Sequence, residues 1–163
     1  MTLIAGVDDA GRGPVIGPLV VAGVLFRDHQ IPTLQALGVR DSKVLSPRRR
    51  SSLAGRIKEL AVRFEVVECS PREVDEAVLE GRKLRRLNWV EAKMMAEVIR
   101  RLGPDVDVAY VDASDVLEKR FGEQIRGMLS FDVEVVSEHH ADVKYPVVSA
   151  ASIVAKTHRD GVV

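Results

Sequence analysis

Four aspartates stand where they could do chemistry together. Asp8 and Asp9 are adjacent and follow the short apolar run Ile4-Ala5-Gly6-Val7. Asp112 follows Val106-Asp107-Val108-Ala109-Tyr110-Val111, and Asp142 lies between Val133-Glu134-Val135-Val136 and an apolar stretch opening at Tyr145-Pro146. Short runs rich in β-branched residues read as buried strands. In an open α/β sheet, ligands gather in the crevice beyond the carboxyl ends of the strands. Carboxylates converging there repel one another unless cations sit between them. Oxygen donors without thiolates favour hard ions such as Mg2+ or Mn2+. Any one of these aspartates alone serves more readily as a cap or turn residue; the coincidence of three strand ends points to a site.

A second group of residues suits a phosphate backbone. Gly11-Arg12-Gly13, beside the first aspartates, lies in a turn crowded with glycine and proline, where backbone N–H groups are open to close approach. Its spacing is neither GxGxxG nor GxxxxGK[ST], which excludes a nucleotide cofactor. Ser42 and Lys43 fall in a polar loop ahead of Arg48-Arg49-Arg50, a run that by itself reads as a solvated helix face. Ser149 and Ser152 sit in a helix starting just after Asp142, whose positive end would face the aspartates. His139 and His140 abut Asp142, where they could relay protons or simply face solvent. Trp89, Met94 and Met95 read as core, and Cys69 as a small buried hydrophobe.

The elements that must position these residues alternate. Leu19–Phe26 is a second strand, and Ser46-Pro47 caps and opens a basic helix to about Ala61. Val62–Val67 is a third strand with one wet face, and Ser70-Pro71 with Glu73 opens another helix. Lys83–Leu102 carries apolar residues on three- and four-residue steps, and Gly103-Pro104 ends it. A helix around Glu118–Leu129 separates the last two strands. Two strands joined by a turn predict an antiparallel start, and the later strand–helix alternation predicts parallel additions. The expected class is α/β, a mixed sheet with helices on its faces.

The chain has 163 residues, 46% of them hydrophobic and 29% charged, which fits one domain with a real core and excludes disordered and disulfide-scaffold classes. A lone cysteine predicts a reducing, cytoplasmic compartment, and no signal core or membrane-length apolar run is expected. Net charge is zero, yet residues 1–101 hold 18 basic against 13 acidic side chains, and residues 102–163 hold 6 against 11. A basic front and an acidic back suit an anionic polymer held beside metal-binding carboxylates.

Taken together and in order, Gly6-Val7-Asp8-Asp9-Ala10-Gly11-Arg12-Gly13-Pro14, Asp41-Ser42-Lys43, Tyr110-Val111-Asp112, His140-Ala141-Asp142 and Tyr145-Pro146-Val147-Val148-Ser149-Ala150-Ala151-Ser152 resemble the type 2 ribonucleases H, the ribonuclease HII family in its archaeal style. The resemblance runs from residue 4 to about residue 160. It implies a ribonuclease H-like fold, a central five-stranded mixed sheet whose first three strands are antiparallel, in a single catalytic domain over residues 1–163. It implies endonucleolytic cleavage of RNA in RNA–DNA hybrids, including a lone ribonucleotide in duplex DNA. Products would carry 5′-phosphate and 3′-hydroxyl ends, as ribonucleotide excision in replication and repair requires. Asp8, Asp9, Asp112 and Asp142 would hold two Mg2+ or Mn2+ ions. Gly11, Arg12 and Gly13 would read the 2′-hydroxyl, and Ser42, Lys43, Asn88 and Ser149 would line the nucleic-acid groove. A monomer without membrane attachment is expected.

The sequence departs from that family in two ways. The family's second acid is glutamate; Asp9 is one methylene shorter, which withdraws its carboxylate by about 1.5 Å. Family members also continue into a Gly-Ser-Gly-Tyr-Pro turn whose tyrosine packs on the sugar at the RNA–DNA junction, so a shortened form is expected. Two other readings stay open. One is a weak or silent hybrid-binding form. The other is a ribonuclease H-like nuclease that cuts DNA without needing a 2′-hydroxyl.

Overall fold

A computed structural model describes residues 2–11, 18–70, 83–113 and 117–162, without the side chains of 41–43, 83–86 and 162. Among these residues the strands are β1 (Leu3–Ala10), β2 (Leu19–Arg27), β3 (Arg63–Cys69), β4 (Val108–Asp112) and β5 (Glu134–Glu138). They form one sheet in the order β3-β2-β1-β4-β5. β1 pairs antiparallel with β2, and β2 antiparallel with β3. β4 joins β1 in parallel and β5 joins β4 in parallel. The sheet is mixed, with its first three strands antiparallel, as expected.

The helices are α1 (Ile31–Ala36), α2 (Pro47–Leu60), α3 (Lys83–Leu102), α4 (Glu118–Gly127), α5 (Ala141–Lys144) and α6 (Pro146–Val162). α2 starts as its sequence predicts: the Ser46 hydroxyl accepts the Arg49 N–H at 3.3 Å, and Pro47 occupies the first helical position. Alternating side chains split the core into two layers. Ala5, Val7, Val21, Leu25, Ala109 and Val111 face α3 and α4. Ala10, Val20, Ala22, Val24 and Phe26 face α1, α2 and α6. β2 is buried from Leu19 to Phe26 because both layers cover it.

α6 lies so close to β1 that only glycine fits at position 6. A Cβ there would overlap the Val147 carbonyl group and lie 2.7 Å from the Val148 nitrogen. Gly6 thus lets the start of the last helix rest directly on the first strand, two residues before Asp8.

Several expectations need correcting. Asp8 and Asp9 do not follow β1 but belong to it, since the ladder to β2 continues through Asp8↔Ala22, Asp9↔Val21 and Ala10↔Val20. Cross-strand pairing here overrides the poor strand propensity of aspartate. Likewise Asp112 is the last residue of β4. The Asp41-Ser42-Lys43 segment is part of a 3-10 turn over Val39–Val44 rather than an open loop. A 3-10 turn (Asp28–Gln30) and α1 also escape the periodicity, being too short to show it. Trp89 is not core: it is 40% exposed, with the Lys93 ammonium 5.3 Å from its ring centroid. Met94 and Met95 are buried as expected, and so is Cys69. The helix expected from Pro71 lies outside the described residues.

Candidate metal centre

β1 and β4 run in parallel side by side, so their carboxyl ends open at the same edge of the sheet. Period-two alternation puts Asp8 and Asp112 on the face turned toward α6, the face of Ile4, Ala10 and Tyr110. The one-turn helix α5 brings Asp142 to the same place. One carboxylate oxygen from each of Asp8, Asp112 and Asp142 lies within 4.8 Å of the others. Alternation sends Asp9 to the opposite face of β1, the face of Ala5 and Val7. It is not among the three clustered groups, though its charge reaches both Asp8 and Asp112.

The electrostatics of the cluster are unfavourable without a counter-charge. Burial pushes the Asp8 carboxyl well above its ordinary value, and the charges of Asp9, Asp112 and Asp142 push it further, against a restraining hydrogen bond from the Asp9 N–H at 2.8 Å. Asp112 is raised to about 6, first by burial and then by Asp142 and Asp9; the His140 charge and backbone N–H partly oppose this. Three mutually repelling carboxylates, offering oxygen donors alone, are a donor set suited to a hard divalent cation. The residues present therefore fit Mg2+ or Mn2+.

The other expected site residues are placed as follows. Gly11 closes β1 with φ +93°, in the left-handed region that favours glycine, and a Cβ there would meet the Arg159 side chain and stand 2.5 Å from the Pro18 carbonyl oxygen. Arg159 Nε donates to that same carbonyl at 3.0 Å. Arg12 and Gly13 lie outside the described residues, as do the side chains of Ser42 and Lys43. Their 3-10 turn is tied to α5 through a side chain, since Arg40 Nη2 donates to the Lys144 carbonyl at 2.8 Å. Asn88 is half-buried on α3. Ser149, expected at the substrate, is only 3% exposed, and its hydroxyl donates to the Asp142 carbonyl. Its place is beneath the site rather than on its surface. His139 pairs with Glu118 at 3.0 Å, and His140 adopts φ 57° as the N-cap of α5.

Two further residues give no signal in the sequence as site components. The Tyr145 hydroxyl donates to the Glu138 carboxylate. That bond, followed by the Lys144 hydrogen bond, holds the Glu138 carboxyl below its usual range, while Tyr145 is pushed up to about 12 chiefly by the same bond. The partners are seven residues apart, and only the turn through α5 brings them together.

An antiparallel three-stranded start, two parallel additions and a carboxylate cluster at the β1–β4 edge define a ribonuclease H-like hydrolase. The family model described as ribonuclease HII matches residues 5–163. Ribonuclease HII of Methanocella arvoryzae is 45% identical over 160 residues, which cover 98% of this chain and 69% of that protein. The ribonuclease H2 structure from Pyrococcus horikoshii superposes with TM-score 0.89 at 38% identity, covering 98% of this chain and 73% of the other. Ribonuclease HII in the complex with PCNA from Archaeoglobus fulgidus gives TM-score 0.84 at 42% identity, over 97% and 72% of the two chains. The chain belongs to the ribonuclease HII family, whose members are metal-dependent endoribonucleases. No helix among the described residues is long and apolar enough to cross a membrane.

Proposed function

We propose that this chain hydrolyses the RNA strand of RNA–DNA hybrids and cuts at single ribonucleotides embedded in duplex DNA. The observation that carries the reading is the convergence of Asp8, Asp112 and Asp142 within 4.8 Å at the open edge of the sheet. These three, with Asp9 beside them, would hold two Mg2+ or Mn2+ ions. When bound, such ions supply an activated water and offset charge on the phosphate. The carboxylates' part is to fix the ions, so none of them needs to take the proton. Gly11, whose φ of +93° turns the backbone at the end of β1, would bring main chain to the 2′-hydroxyl, with Arg12 and Gly13 sharing that role. Lys43 and Ser42 would hold phosphate from the 3-10 turn tied to α5, and Asn88 would contribute from α3. Ser149 would act indirectly, by holding the carbonyl of Asp142. Products would carry 5′-phosphate and 3′-hydroxyl ends.

Asp9 favours a second reading, a form that binds hybrids but cuts them slowly, because strand alternation leaves it outside the three-carboxylate cluster. The deciding experiment uses a labelled DNA duplex with one ribonucleotide, in Mg2+ and separately in Mn2+, beside an all-DNA duplex and the Asp112→Asn variant. Cutting 5′ of the ribonucleotide that is lost in the variant supports the first reading. Binding without cutting in either metal supports the second. Equal cutting of the all-DNA duplex overturns both in favour of a DNA nuclease.

A further inference from the structure

α5 carries Asp142 but has only four residues, too few for helix propagation to offset the cost of nucleation. Its N-cap, His140, is left-handed and makes no side-chain capping bond. A ligand on so weak an element keeps its place only if neighbours hold the element. Tyr145, directly after α5, makes contacts in three directions. Its N–H donates to the Ala141 carbonyl at 2.9 Å, and its own carbonyl accepts the N–H groups of Val148 and Ser149, each at 3.0 Å, joining α5 to α6. Its ring packs on Tyr110 of β4, with centroids 4.3 Å apart and planes inclined at 30°. Its hydroxyl donates to Glu138, which also accepts from Lys144 Nζ at 3.1 Å. Tyr110 shares a strand face with Asp112 two residues on, and Glu138 is the register partner of Asp112 across β4–β5.

We infer that Tyr145 is a positioning residue for metal binding: through Glu138 and Tyr110 it latches α5 to the β4–β5 edge and so sets how far Asp142 stands from Asp8 and Asp112. The inference rests on the reading of that cluster as a metal centre. Tyr145 touches neither substrate nor metal in this role.

The test is Mn2+ binding by calorimetry to the full chain, with wild type measured first. Tyr145→Phe keeps the ring and its stacking and removes only the hydroxyl. It should weaken Mn2+ binding about tenfold, the lower end of what loss of a supporting contact costs a metal site. The metal-free melting temperature should fall by only about 3 °C, as expected for one net hydrogen bond in a chain of this size. Cleavage should be slow at limiting Mn2+ and recover at saturating Mn2+, with the substrate KM unchanged. Glu138→Leu, which removes the acceptor, should behave alike, and the double variant should bind no more weakly than the weaker single one, since both act through one bond. Wild-type Mn2+ affinity in Tyr145→Phe, or additive losses in the double variant, overturns the latch and leaves the metal centre standing. Should Tyr145→Phe fail to fold, wild-type affinity in Glu138→Leu overturns it equally. Wild type that binds no Mn2+ overturns the latch and the metal centre together.

Discussion

Replacing Asp112 with asparagine should make the metal-free protein more stable while abolishing its response to metal. In the folded chain, burial and the neighbouring charges of Asp142 and Asp9 raise Asp112 from 3.8 to about 6. A carboxyl whose folded value is raised favours the folded state when protonated, and that advantage is lost as pH climbs from 3.8 through about 6. Above that window the ionised group opposes folding. The interval from 3.8 to about 6 corresponds to about 3 kcal/mol if taken whole. The group is partly solvated, and screening by water reduces this to about 1–2 kcal/mol. Asparagine removes the charge and can still accept the His140 N–H. The expected result, in EDTA at pH 7.5, is a melting temperature about 2–8 °C above wild type. The gain should shrink steadily as pH falls from 7 toward 4, and adding Mn2+ should raise the melting temperature of wild type only. A variant no more stable than wild type at pH 7.5 without metal would refute the claim that these carboxylates repel one another across the cluster.

Two other perturbations probe the frame around the cluster. Gly6→Ala places a Cβ into the Val147 carbonyl group, where backbone rather than a flexible side chain must yield. It should cost about 1–3 kcal/mol, read by thermal or urea unfolding, and an unchanged midpoint would show that α6 can lift off β1 freely. Asp9→Glu extends the carboxylate by about 1.5 Å around the end of β1. It should tighten Mn2+ binding and raise the cleavage rate, measured side by side with wild type; no change in either would mean that the reach of residue 9 does not limit the site.

Much of this architecture was legible because it is written in local signals. Ser46-Pro47 marks the start of α2 by a cap and a fixed φ, and the three- and four-residue steps of Lys83–Leu102 leave no other element open. Asp8 and Asp112 could be read as neighbours because each lies at or near a strand's carboxyl end, and such ends share an edge; Asp142 follows β5 and joins them from α5. What stayed hidden depends on contacts distant along the chain. Asp8 and Asp9 are held in β1 by pairing with Ala22 and Val21, which outweighs their own turn preference. The exposure of Trp89 follows from which side of α3 meets the sheet, and a single aromatic on a helix does not declare that. The partnership of Tyr145 with Glu138 arises from a turn through a four-residue helix with a left-handed cap, a geometry that no periodicity announces.

The seating of α6 on β1 and β2 also bears on how the molecule is made. The β1–β2 hairpin is complete within the first 27 residues, but the face bearing Ala10, Val20, Ala22, Val24 and Phe26 is covered in good part by Pro146–Val162. A chain emerging from the ribosome therefore carries a sheet face that α1 and α2 cover only in part until α6 is made, the condition under which partly folded chains aggregate. That interval of partial cover is where chaperone capture would act, before the packed state exists.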